Sequence, residues 1–110
     1  MNDKDFLDPI TPGEILRDDF MEPMGISMNQ MSRDIAVPPN RISEIINGKR
    51  GITADTALRL ERYFGIEAQF WLNLQSEYDL RIIKRKIGAD IEQRILPVKK
   101  IAIQPIPAEV

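Results

Sequence analysis

Two adjacent prolines, Pro38 and Pro39, constrain this chain more than any other pair of residues. A residue before proline is pushed out of the α region, so Pro38 must be extended, whereas proline suits the first position of a helix, so Pro39 is placed to begin one. Upstream, Ser27 and Gln30 have the spacing of a capping box, with Ile26 and Met31 at staple positions, which predicts a helix running to about Ala36. Downstream, Ile42, Ile45 and Ile46 recur at helical spacing until Asn47-Gly48, a good left-handed ending, which predicts a helix over about 39–47. Only two or three residues separate the two helices, about the length of a helix-turn-helix connection.

The same signals recur along the chain. Thr11, Pro12 and Glu14 form a second capping box with proline at the first helical position, and Ile10 and Ile15 sit where a staple belongs. The helix they open is predicted over about 12–22, stopped by Pro23 and Gly25. Thr53 caps a fourth helix carrying Ala57, Leu58, Leu60, Tyr63 and Phe64, which ends at Gly65. A fifth starts near Glu67 or Ala68 and continues through Phe70, Trp71, Leu74, Tyr78 and Ile82 to about Lys86, before Gly88. Ala89 to Leu96 is read as a short helix. Pro97 to Val110, with three prolines, cannot be helical throughout and is apolar enough to dock on the core or on a partner. Five helices and no convincing strand predict an all-α fold. The expected division is an acidic N-terminal tail over 1–10, a helical domain over 11–87 and a C-terminal extension over 88–110.

With 110 residues the chain can build one core. It has no Cys and no His, which removes thiolate nucleophiles, imidazole bases and the usual zinc sites. Asp18 and Asp19 are adjacent and point to different faces of a helix, and no other carboxylate pair is placed for acid-base work; no enzyme and no cofactor are expected. No apolar run reaches the length of a membrane span and the first residues are acidic, so a cytoplasmic location is expected. The net charge is −2, yet it is uneven. Basic side chains outnumber acidic ones over 27–51 and again over 81–110, the reverse of the rest.

On a helical wheel for 39–47, the three isoleucines fall on one side and Asn40, Ser43, Glu44 and Asn47 on the other. Many surface helices look like this. Here, however, the polar stripe consists of groups that hydrogen-bond to base edges, such as Asn to adenine or Glu to a cytosine amino group. Cations flank it: Arg33 before, Arg41 within, and Lys49 and Arg50 after, where phosphates would lie. A short helix tightly joined to a second one can place that second helix in the major groove. DNA recognition is therefore favoured over a merely solvated face.

Residues 27–50 resemble the helix-turn-helix of lambda-repressor-like domains. The wider set Thr11 to Leu16, Asn40 to Leu60, Phe70 to Gln75 and Tyr78 to Leu80 resembles the HigA family of toxin-antitoxin antitoxins, over about residues 11–80. The resemblance implies a five-helix lambda-repressor-like fold and a homodimeric antitoxin that binds operator DNA, represses its own operon and neutralises a HigB-type mRNA-cleaving toxin. By motif position it places Pro39, Asn40, Ser43 and Glu44 at the start and exposed face of the recognition helix, and Asn47 and Lys49 at its phosphate-contacting end; Arg41 and Arg50 are added from charge and position. Ala36 departs from the pattern, since many relatives carry Gly in that turn. A positive φ there would cost alanine about 1 kcal/mol or more.

The fifth helix has more apolar surface than one core needs. Phe70, Trp71, Leu74, Tyr78 and Ile82 form one face, on which Trp71 and Phe70 are read as core; Leu72, Leu80, Ile83 and Ile87 form another, which is either covered by the C-terminal segment or provides a dimer interface. A two-fold dimer would read a palindrome with half-sites about one helical turn apart. The basic run Arg81, Lys84, Arg85 and Lys86 either meets phosphates or an acidic partner or is simply solvated. Asp3, Asp5, Asp8, Asp18, Asp19 and Glu22 form an acidic region suited to a basic nuclease, or to solubility alone. The competing functions are a stand-alone or phage-type repressor without a toxin and a protein-binding module that has lost DNA affinity.

Overall fold

The computed structural model describes residues 8–98. The rest of the acidic tail, with Asp3 and Asp5, and most of the apolar C-terminal stretch lie outside the described residues. Within them the chain forms five helices and no strand. None is long and apolar enough to cross a membrane.

Helix α1 (12–24) opens on the expected capping box: Thr11 Oγ1 accepts the Glu14 N–H at 3.1 Å, and Glu14 Oε1 accepts the Thr11 N–H at 3.2 Å. It is α-helical over Pro12–Ile15, π-helical over Leu16–Met21 and α-helical again over Glu22–Met24. The helix runs two residues past the expected end at 22, through Pro23, and stops at Gly25, the other residue of the expected stop, with φ 67°. A proline inside a regular α-helix presses on the carbonyl four residues back. The wider turn, in which the Glu22 N–H reaches back to the Arg17 carbonyl, accommodates Pro23 without breaking the helix.

Helix α2 (Met28–Asp34) is capped by Ser27 Oγ, which accepts the Gln30 N–H at 3.1 Å; Gln30 does not return the bond, so that box is half formed. Helix α3 (Pro39–Ile46) starts at Pro39, with Pro38 extended at ψ 145°. Between them Ala36 has φ 58°, the one positive value at a non-glycine among the described residues. The Ala36 N–H donates to the Arg33 carbonyl and the buried Val37's N–H to that of Ser32, at 3.2 and 3.0 Å, the bonding pattern of a Schellman ending with alanine in the glycine position. The left-handed conformation costs alanine roughly 1–2 kcal/mol.

Helix α4 (Ala54–Phe64) is capped by Thr53 and ends at Gly65 with φ 79°. Helix α5 (Ala68–Arg94) runs through Gly88, so the stop near Lys86 and the separate short helix after it are replaced by one helix of 27 residues. A glycine inside a helix costs about 1 kcal/mol, whereas ending and restarting would require a new helix nucleus, which is worse. An Asp90–Arg94 pair at 2.9 Å braces the last turns.

The core draws on every helix. Leu16, Met31, Ile42, Ile45, Leu60 and Trp71 are fully enclosed. Phe20 stacks between Trp71 and Phe64 at centroid distances of 4.8 and 5.2 Å, and Phe70 meets the Trp71 ring edge-on at 5.0 Å. The Trp71 indole N–H has no hydrogen-bond partner among the described residues. Leaving that donor unmade costs about 1–3 kcal/mol, less than the roughly 4–6 kcal/mol from burying an indole of about 150–250 Å².

Helix α3 is seated by a backbone contact. Gly13 is buried, and a β-carbon built on it would lie 1.9 Å from the Ile45 carbonyl oxygen and 2.8 Å from the Ile46 Cα. Helix α1 thus approaches α3 as closely as two backbones can. Because main chain rather than a flexible side chain must yield, Gly13→Ala should destabilise the fold by about 3 kcal/mol and lower the melting midpoint by about 10 °C or more; a thermal melt followed by circular dichroism checks this.

Candidate nucleic-acid interface

The seating of α3 divides its residues cleanly. Ile42, Ile45 and Ile46 retain 0, 1 and 8% of their accessible surface, while Pro39, Asn40, Asn47, Lys49 and Arg50 are exposed and Arg41, Ser43 and Glu44 half-buried. Asn40, Ser43, Glu44 and Asn47 therefore lie on the side of α3 away from its buried isoleucines, with Pro39 at its start, Arg41 on its flank toward α4, and Lys49 and Arg50 past its C-terminal end. Ser43 Oγ donates to the Asn40 carbonyl at 3.3 Å, which leaves its oxygen free to accept. The Asn40 and Asn47 side chains make no hydrogen bond within the described residues and can offer both donor and acceptor to a base edge.

The cations are not all equivalent. Arg50 bonds Glu44, with Nη2 at 2.7 Å and Nε at 2.8 Å from the same carboxylate oxygen. Glu44 is thus neutralised from the loop that follows its own helix. Arg41, read as flanking the polar stripe, lies 3.5 Å from Asp55 of α4. Arg33 and Lys49 have no ion pair among the described residues and are exposed. Exposed pairs of this kind are worth at most about 1 kcal/mol, so a phosphate can draw Arg50 away from Glu44 at little cost.

Past Asn47 the backbone turns on Gly48, with φ 75°; the Gly48 N–H donates to the Ile45 carbonyl and the Lys49 N–H to that of Glu44, at 3.1 and 2.8 Å. This Schellman ending returns the chain beside α3, where the Arg50 side chain reaches back to Glu44. The loop is then tied to α5: Gln75 Oε1 accepts the Ile52 N–H at 2.7 Å, and Gln75 Nε2 donates to Asp79 at 3.0 Å. Gly51 faces the Gln75 carboxamide, where a β-carbon would come within 3.0 Å.

Three supporting residues were missed as such in the sequence. Gln75 was named only as the end of the Phe70–Gln75 stretch that carries the family resemblance, with no contact assigned to it. Asp55 and Arg59 have the spacing of a helical ion pair and do form one, which lowers the Asp55 carboxyl below its usual range, first through the hydrogen bond from Arg59. Their reach to α3 and to the turn before it could not be seen from spacing. There Arg59 Nη1 donates to the Ile35 carbonyl at 2.8 Å and to that of Ala36 at 3.1 Å.

A family described as Helix-turn-helix matches residues 19–71. Virulence-associated protein I of Dichelobacter nodosus is 51% identical over 82 residues, covering 74% of this chain and 76% of that one. Antitoxin HigA-1 of Vibrio cholerae is 39% identical over 72 residues, covering 66% and 68%. Among solved structures, Pseudomonas aeruginosa antitoxin HigA with the higBA promoter superposes with a TM-score of 0.80 at 47% identity, over 82% of this chain and 98% of that one.

Gln75→Leu would leave the Ile52 N–H without a partner in a partly buried setting. It should cost about 1–3 kcal/mol and speed amide exchange over residues 49–52, as measured by denaturant unfolding and hydrogen exchange.

Proposed function

Because the chain belongs to the HigA family of helix-turn-helix antitoxins, a family of DNA-binding regulators and not of enzymes, we propose that it binds operator DNA as a homodimer, represses its own operon and neutralises a HigB-type toxin that cleaves mRNA. The observation that carries the DNA-binding part is the outward face of α3: amides and a hydroxyl on a helix anchored by three buried isoleucines, with Lys49 and Arg50 at its end. The Pseudomonas relative solved with its promoter supports the same reading. Asn40 and Ser43 then contact bases, Pro39 starts the helix beside them, Glu44 lines the same groove, and Arg41, Asn47, Lys49 and Arg50 serve the phosphates.

Dimerisation has its own support in α5. Leu72, placed on the outward face by the wheel, packs partly against the core instead, because α5 is still embedded there between α1 and α4. Farther along, Leu80, Ile83 and Ile87 are 64, 45 and 44% exposed, and Ile91 continues the row at 40%. On the wheel they lie opposite Trp71, Leu74 and Tyr78, so the helix turns one side to its own core and the other to a second subunit. Toxin neutralisation draws on exposed Asp8, Asp18, Asp19 and Glu22, with Asp18 paired to Arg17 at 2.6 Å. Such a surface suits the basic RNA-binding face of a nuclease. Co-expression with the neighbouring reading frame and co-purification tests this directly; a neighbour that encodes no small basic toxin, or one that does not associate, overturns the antitoxin part.

Two experiments address the DNA and dimer parts. Asn40→Ala should relax sequence choice, at a cost of roughly 1–3 kcal/mol at the matched base, whereas Lys49→Ala should weaken all duplexes alike and lower the salt slope by about 1. Gel-shift titrations on the chain's own upstream DNA and on scrambled duplex separate the two. Replacing Ile83 and Ile87 together by Asp should yield a folded monomer by sedimentation, with operator affinity reduced at least about tenfold; a variant that stays dimeric would place the interface elsewhere.

A further inference from the structure

The turn between α2 and α3 determines how α3 is presented, and it is held in an unfavourable conformation. Ala36 has φ 58° and no glycine to relieve it. The group that stabilises it comes from α4, more than twenty residues away in sequence. Arg59 Nη1 donates to the carbonyls of both Ile35 and Ala36, while Arg59 Nε bonds Asp55 one turn back on the same helix. Asp55 in turn lies 3.5 Å from Arg41 on α3. One guanidinium therefore reaches the turn in front of the recognition helix and, through a carboxylate, the recognition helix itself.

The fork geometry matters. A guanidinium presents donors in a fixed plane and can bond two carbonyls and a carboxylate at once, whereas an ammonium offers a single point charge. The carbonyls of Ile35 and Ala36 flank the left-handed residue, so bonds to both oppose rotation of the peptide planes on either side of it.

We infer that Arg59 is a positioning residue for DNA recognition, clamping the strained Ala36 turn and, through Asp55 and Arg41, holding α3 in the pose that meets the groove. This rests on the DNA-binding reading above. It assigns Arg59 no contact with DNA, which distinguishes it from Lys49.

The test combines Arg59→Met with Ala36→Gly, singly and together, on DNA from immediately upstream of the chain's own reading frame and on scrambled duplex. Arg59→Met should weaken binding to the upstream DNA about tenfold, as expected when one or two base contacts are lost, and should leave scrambled-duplex binding and the salt slope unchanged. Ala36→Gly removes the strain that the clamp opposes, so the double variant should recover most of the lost affinity. Thermal midpoints report the same coupling without DNA: Arg59→Met should lower the midpoint by about half as much in the Ala36→Gly background as alone. If Arg59→Met is partly unfolded at the assay temperature, Arg59→Lys replaces it with the same expectations, since it keeps the charge and loses the fork.

Unchanged operator binding by a folded Arg59 variant overturns the inference. So does a salt slope lower by about 1, which would make Arg59 a phosphate contact, or additive effects of the two substitutions. A wild-type protein that shows no sequence-dependent shift sinks the DNA-binding reading instead, and the thermal coupling then decides the clamp alone.

Discussion

A recognition surface made of short polar side chains works only if its helix cannot roll, and here rolling is prevented by burial. Ile42, Ile45 and Ile46 together remove roughly 5–9 kcal/mol worth of apolar side chain from water, and turning the helix by even 60° would bring part of that ridge to the surface. Gly13 adds a second restraint, because the backbones of α1 and α3 touch where a side chain would otherwise hold them apart. The outward direction of Asn40, Ser43 and Asn47 is a consequence of those inward contacts.

Charge is handled in a way that suits an acidic protein with cations gathered around one helix. Glu44 and Asp55 hold Arg50 and Arg41 in partly exposed pairs. Such pairs contribute little to stability, yet they keep the cations close to the recognition helix and masked from unspecific partners. Carboxylates elsewhere, on α1 in particular, carry the excess that makes the chain acidic overall.

Helix α5 joins two roles in one rod. Its first turns supply Trp71 to the core and Gln75 to the loop behind α3; its later turns leave the core and expose Leu80, Ile83, Ile87 and Ile91. Because one helix carries both, whatever fastens on that apolar row is linked through Gln75 to the loop carrying Lys49 and Arg50.

Much of this was legible in the sequence because it depends on neighbours three or four residues apart. The caps at Thr11, Ser27 and Thr53, the start at Pro39, the left-handed stop at Gly48 and the split of α3 into an isoleucine side and a polar side all follow from local stereochemistry and helical period. The passage of α1 through Pro23 was not legible, since it needed a change of helical pitch, and the passage of α5 through Gly88 was misjudged because one weak residue does not outweigh helix propagation. The tertiary structure alone decided what supports the site: Gly13 lying against Ile45, Gln75 reaching Ile52, Arg59 reaching Ile35 and Ala36, and Arg41 engaged by Asp55. Those contacts join residues from 14 to 32 positions apart, and no periodicity encodes them, because they exist only once five helices have settled which faces they share.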